Sequence, residues 1–187
     1  MLSESELDPY FDGIQREAFR LEALSSYAVS SESAGMRAYL AGEPYEKSDA
    51  GQAFKEYVRG QVESGVRWHR VRVVSGPLSD YERWEFEWGY TVNEQIGYPT
   101  FVLDLSEAAD PPALPGYDWW MLDEQVVLRF HYDNNGAFVG ADALGAPDEL
   151  AEHQRFRDAA LAAAIPFPQY WAAHPQYWRQ NWLRMRT

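Results

Sequence analysis

The sequence predicts an α+β domain, with a mixed or mainly antiparallel sheet of about five strands covered on one face by helices from both chain ends. Three observations carry this. Residues 117–144, YDWWMLDEQVVLRFHYDNNGAFVGADAL, hold three apolar runs separated by Asp123-Glu124 and by Asp133-Asn134-Asn135-Gly136. That is the pattern of a C-terminal three-stranded antiparallel meander, with Asn135-Gly136 supplying the positive φ of a tight turn. The run VRWHRVRVVS at 66–75 is rich in β-branched residues and closes at Gly76-Pro77. Both ends of the chain show apolar residues at helical spacing instead.

In chain order, Asp8-Pro9 reads as an N-cap followed by a first-turn proline. Phe11, Ile14, Ala18 and Leu21 then recur at helical spacing, which predicts one helix from Asp8 to about Ser25. A second helix is expected from Ser31 to Ala41, with Met36, Tyr39 and Leu40 inward, stopped by Gly42 and Pro44. Ser48 or Asp49 caps a third, whose stripe is Phe54, Tyr57, Val58 and Val62, and Gly65 ends it. In the strand 66–75, alternation places His69, Val71 and Val73 on one face and Trp68, Arg70, Arg72 and Val74 on the other.

Residues 79–90 fit two patterns. As a strand, Trp84, Phe86, Trp88 and Tyr90 share a face, and Glu85 and Glu87 lie side by side. As a helix, Tyr81, Trp84, Glu85 and Trp88 share one. The capping-box spacing of Ser79 and Glu82 favours the helix. Thr100–Leu105 is a short strand, and a proline-rich loop from Ser106 to Gly116 leads to the meander. Within it, Val126, Leu128, Phe130 and Tyr132 point one way, and Val127, Arg129, His131 and Asp133 the other. Pro147 opens a helix with Asp148 and Glu149 in its first turn, ending before Pro166-Phe167-Pro168. Pro-Gln-Tyr-Trp at 168–171 recurs at 175–178. Residues 1–171 form one domain in this reading. Residues 172–187 form an aromatic, basic extension, with Trp178, Trp182 and Met185 on one stripe and Arg179, Arg184 and Arg186 beside it.

Composition narrows the function classes. At 46% hydrophobic and 16% aromatic residues, the chain can fill a sizeable core. No cysteine is present, so disulfides, thiolate metal sites and cysteine nucleophiles are excluded. The net charge of −13 opposes direct nucleic-acid binding and suits a basic protein partner. No stretch reaches the apolar length of a membrane span, and the acidic start differs from a signal peptide, so a cytoplasmic location is expected.

Taken in order, several segments resemble an actinobacterial family of unknown function, DUF6879. They are Phe11 with AFRLEAL, then FKEYV, RVRVVSGPLSDYERWE, WWMLDEQVVLRFHYDNNGAFVGAD and RDAALAAAIPFPQYW. The resemblance covers roughly residues 10–171 and leaves the tail outside. It carries no catalytic residue over. Members are similar to small proteins encoded beside helix-turn-helix regulators, which implies a regulatory or partner-binding role by association alone.

Among individual residues, His131 is the sharpest candidate acid or base, with Asp133 to orient it and Arg129 to hold an anionic group. The plainer account of that face is a half-buried strand with a cross-strand ion pair. Two ligands fall short of a metal site, so neither metal nor cofactor is expected. Glu85 and Glu87 form a candidate carboxylate pair, or pair with Arg70 and Arg72 instead. Trp84, Trp119 and Trp120 are candidate pocket walls, with Trp119 and Trp120 sending one indole to each face. The function expected is a non-enzymatic regulatory or protein-interaction domain. The alternative is a small biosynthetic enzyme or ligand-binding protein, with an aromatic pocket over Arg72, Glu85, Arg129 and His131 and with His131 as acid or base. Expected partners are a basic protein or a small molecule, without nucleic acid or membrane, and the C-terminal tail is expected to dock on its own chain or on a second copy as a homodimer.

Overall fold

The computed structural model describes residues 1–29, 32–44 and 49–182. The fold is α+β, with a seven-stranded mixed sheet. In chain order the elements are α1 (Glu4–Asp12), β1 (Glu17–Glu22), α2 (Ser33–Ala41), α3 (Asp49–Glu63) and β2 (Arg67–Val74). Then come α4 (Asp80–Trp84), a π-helical segment (Glu85–Tyr90), α5 (Thr91–Gln95), β3 (Thr100–Asp104), β4 (Trp119–Leu122), β5 (Val126–Tyr132) and β6 (Phe138–Leu144). The chain closes with α6 (Pro147–Ala163), β7 (Ile165–Pro166), α7 (Phe167–Ala173), a 3₁₀ turn (Pro175–Tyr177) and α8 (Arg179–Trp182).

The strand order is β6-β5-β4-β1-β2-β3-β7. β1, β2 and β3 run parallel to one another, and the other pairings are antiparallel. Parallel neighbours need long crossovers. α2 with α3 supplies the first, and α4, the π segment and α5 supply the second.

The first helix differs from expectation. It ends at Asp12, and Gly13 precedes a turn into β1, the central strand. Ser3, not Asp8, stands at its N-cap, where its N–H and hydroxyl donate to Glu6 Oε2 at 2.8 and 2.6 Å, and Pro9 lies inside the helix. Phe11, Ile14, Ala18 and Leu21 satisfy a helical period across two elements by coincidence. Within AFRLE the period is two: Phe19 and Leu21 pack on one face, and Ala18, Arg20 and Glu22 lie on the other. The strand count rises from about five to seven because β1 and the short β7 join the sheet.

Residues 79–90 take the helical alternative. Ser79 and Glu82 close a capping box: Ser79 N–H donates to Glu82 Oε2 at 2.8 Å, and Glu82 N–H donates to Ser79 Oγ at 3.1 Å. Gly42 (φ 79°) and Gly65 (φ 97°) terminate α2 and α3 in left-handed backbone. Ser31 and Ser48, expected at helix starts, lie outside the described residues.

The turn assignment also shifts. Among the described residues the non-glycine positive φ angles are those of Asp123 (53°) and Glu124 (59°), at the β4–β5 turn, and Asn135 has none. At the β5–β6 turn the positive φ falls on Gly136 (82°), and Asp133 Oδ1 accepts the Asn135 and Ala137 N–H groups at 2.8 and 2.9 Å.

Helices cover both faces of the sheet, not one. The first face packs Trp68, Trp120, Leu122 and Leu128 against Leu7 of α1 and Val58 of α3. Farther along it, Val74 and Val102 pack against Phe86 and Tyr90 of the π segment and Phe167 and Tyr170 of α7. The second face carries Phe19, Leu21, Val71, Val73, Leu103, Trp119 and Met121, which α6 covers through Ala160, Phe156 and Leu161. Among the described residues no helix is long and apolar enough to cross a membrane.

The chain beyond α7 docks back on the body. Arg179 lies over the rings of Tyr39 and Trp88 and donates to the Glu43 carbonyl at 2.6 Å. Trp182 is buried beside Tyr39. Arg184, Met185 and Arg186 lie outside the described residues.

Candidate functional site

Between the two apolar clusters of the first face, the sheet carries charge. β1 and β2 set Arg20 beside Arg70, and Glu22 beside Arg72. A buried guanidinium, that of Arg70, beside the half-buried one of Arg20 is costly unless countered. Glu22, 1% exposed, counters them: Oε1 lies 2.9 Å from Arg20 Nη1, Oε2 accepts from Arg70 Nη1 at 2.7 Å, and the Tyr90 hydroxyl donates to Oε2 at 3.0 Å. Arg70 also lies over the rings of Tyr90 and Tyr98. Burial pushes the Glu22 carboxyl up, but Arg20, Arg70 and Arg72 outweigh it and hold the group below the usual carboxylate range.

Arg72, fully buried, donates from Nη1 to the Tyr27 hydroxyl at 3.1 Å. Its Nη2 stands 3.5 Å from Glu85 Oε2 and 3.7 Å from Glu82 Oε1, longer than charge-assisted hydrogen bonds. Among the described residues neither Arg72 Nη2 nor Glu85 Oε2 has a hydrogen-bond partner. Glu85 is the first residue of the π segment, an irregularity frequent at functional sites. Burial raises its carboxyl, Arg72 opposes this, Glu22 adds to it, and the result is a pKa of about 7. Two carboxyls on one charge network are thus driven apart in acidity, the environment that acid–base and ion-binding sites share.

Arg20, Glu22 and Glu85 of this network line a cleft of about 890 Å³, within the size range of ligand sites. β1, β4 and β5 contribute Arg20, Glu22, Trp120, Phe130 and Tyr132. α1 contributes Leu7 and Phe11, α3 contributes Phe54 and Tyr57, and α4 with the π segment contributes Tyr81 and Glu85. Tyr27 and Glu32, with Gly136 of the β5–β6 turn and Phe138 of β6, complete the rim. That turn is pinned to the rim, where Ala28 N–H donates to the Gly136 carbonyl at 2.9 Å. Asp118 anchors Tyr27 from behind, accepting its hydroxyl at 2.5 Å and the Ala23 N–H at 2.8 Å.

The residues singled out from sequence divide between the faces. Arg72, Glu85 and Trp120 come together, with Glu85 and Trp120 on the cleft wall and Arg72 behind Glu85. Trp84 packs on Tyr81 at the side of the cleft. Arg129 and His131 lie on the other face of the sheet, where Asp142 Oδ2 accepts from Arg129 Nη2 at 2.7 Å and stands 2.8 Å from His131 Nε2. His131 is therefore oriented by Asp142 across the β5–β6 pair, and Asp133 is taken up in the turn. Trp119 packs against Phe19 and His153 in the second core. The expected pocket over Arg72, Glu85, Arg129 and His131 is thus separated by the thickness of the sheet. Glu87 is also apart from Glu85, accepting the Tyr39 hydroxyl at 3.0 Å and the Arg179 N–H at 2.7 Å.

Arg20, Glu22, Tyr27, Tyr81 and Tyr132 of the cleft were not singled out from sequence. The alternation of AFRLE, read as a strand, places Arg20 and Glu22 together on one face, and so carried the missing signal. Among the described residues no group of three or more His, Asp or Glu side chains is placed to hold a metal ion.

A family model described as a domain of unknown function, DUF6879, matches residues 5–172 of the 187-residue chain. No curated protein matches it.

Proposed function

For this chain, which belongs to the DUF6879 family, we propose a ligand-binding function centred on the cleft over Arg20, Glu22 and Glu85. Binding, without a chemical step, is the whole of the task assigned. One observation carries the reading: Glu85 lines an aromatic cleft, and its buried Oε2, 3.5 Å from Arg72 Nη2, accepts no hydrogen bond among the described residues. Buried polar atoms are normally satisfied, so an exception at the wall of a cavity points to a group that arrives from outside. Aromatic walls with a few convergent polar groups are the usual construction of such sites. The net charge of −13 supports a second reading, docking of a basic partner protein in a regulatory role. His131 has no part in either.

The test is a fragment panel of anionic, neutral and cationic aromatic compounds, followed by amide chemical shifts on labelled protein. Hits are expected to move signals around Trp120, Tyr132 and Glu85. They should disappear in Ala137→Trp, which fills the cleft at the β5–β6 turn. A panel whose hits all map elsewhere, or persist in Ala137→Trp, contradicts the assignment.

A further inference from the structure

Resting on the cleft as a binding site, we propose that its ligand is an organic cation: a primary amine or a guanidine carried on an apolar or aromatic body. The charge inside the cleft argues for it first. Glu22, Glu32 and Glu85 line its interior and Glu4, Asp8 and Asp12 of α1 its rim, whereas Arg20 is the basic residue on its wall among the described residues. Arg20 is already committed to Glu22, with Nη1 2.9 Å from Oε1. Its guanidinium also lies over the rings of Trp120 (5.2 Å) and Tyr27 (5.9 Å). These rings therefore hold one guanidinium already, in the cation–π geometry a second cation would use.

Glu22 is compensated by Arg20 and Arg70. Glu85 is not compensated to the same degree. Arg72 stands 3.5 Å from its Oε2, which has no hydrogen-bond donor among the described residues. Glu32 accepts the Tyr81 hydroxyl at 2.8 Å. An ammonium or guanidinium supplies donors and charge together to these two carboxyls, and Tyr81, Tyr132 and Phe138 offer ring faces for its body. An anion entering the same space meets carboxyls at both depths. A neutral ligand without a donor leaves Glu85 as unsatisfied as before.

Isothermal titration with phenylbutylamine, phenylbutanol and phenylpentanoate at one ionic strength tests this, because the three share one body and differ in charge. The amine is expected to bind about tenfold or more tighter than the alcohol, the scale of one charge-assisted contact, with the carboxylate weakest. Glu85→Gln keeps the side-chain size and should remove most of that preference. Where it fails to fold, Glu32→Gln serves in its place. Alcohol binding as tight as amine binding, or carboxylate binding tightest, overturns the cation and leaves the cleft standing. A preference undiminished in both variants overturns the role of these carboxyls. Absence of binding by all three overturns the cleft itself together with the proposal.

Discussion

Glu85 and Glu22 share Arg70 and Arg72 yet titrate in opposite directions, and this sets a pH dependence for the fold. Glu85 is raised by burial to about 7 from 4.5. Between those values the native state keeps a proton that the unfolded chain has released, so stability falls as pH rises through the window. Glu85→Gln should abolish that fall: urea midpoints at about pH 5 and about pH 8 should differ less in the variant than in the parent. Glu17 behaves oppositely. Its hydrogen bond with His69, together with Arg67 and Arg157, outweighs burial and holds it at about 2. Its contribution is present above 4.5 and is lost as pH falls towards about 2. A second residue-scale prediction concerns Asp123. Its carboxylate accepts the N–H groups of Gln15, Arg16 and Glu17, each at 2.8 Å, and so fixes the entry into β1. Asp123→Ala should cost about 2 kcal/mol or more, since three backbone donors lose their partner, and chemical denaturation measures it. His131 was legible as a polar strand residue on the face of Arg129, and an ion pair across the strands followed from that face. Its partner Asp142 was not named, because cross-strand register depends on the turn between the strands.

At the scale of elements, strongly periodic or well-capped segments were legible: Arg67–Val74 as a strand, Asp80–Trp84 as a capped helix, and Pro147–Ala163 as a helix opened by proline. β1 was not, because Phe11, Ile14, Ala18 and Leu21 mimic a helical stripe across the break at Gly13. That single misreading hid the site, since the strand period alone brings Arg20 and Glu22 into register with Arg70 and Arg72. Two packed segments give predictions at this scale. Gly136 has φ 82°, and a Cβ there would stand 2.9 Å from the Ser26 carbonyl oxygen. Gly136→Ala should therefore cost about 1 kcal/mol or more and free the segment around Tyr27. Faster hydrogen exchange at Ala28, whose N–H donates to Gly136, would report it. The segment after α7 is the other case. Trp182 is buried, Arg179 bridges α2 and the π segment, and removal of residues 175–187 exposes the surface that residues 175–182 cover. The truncated chain should lose about 2 kcal/mol or more, the scale of one large buried apolar side chain, with unchanged mass in light scattering. A fall in mass without loss of stability would instead assign the tail to a second copy.

For the whole molecule, the fold class was legible and the layering was not. Composition and patterning gave α+β, but face coverage depends on where α6 returns, and its apolar residues do not form a sharp stripe in sequence. Once α6 covers the Phe19, Leu21 and Val71 face, the remaining face must bury Arg70 and Arg72 and hold Arg20 half-buried beside them. Glu22, Glu85 and the tyrosines around them make that burial possible, and the cleft opens where the cover of α1 and α3 ends. Two candidate centres thus lie apart by the thickness of one sheet: Glu85 in the cleft and His131 on the opposite face. Titration of phenylbutylamine into the parent protein, Glu85→Gln and His131→Ala decides between them most directly. A cleft-centred site requires affinity about tenfold weaker in Glu85→Gln and unchanged in His131→Ala. Parent-like binding in Glu85→Gln together with lost binding in a folded His131→Ala would contradict it.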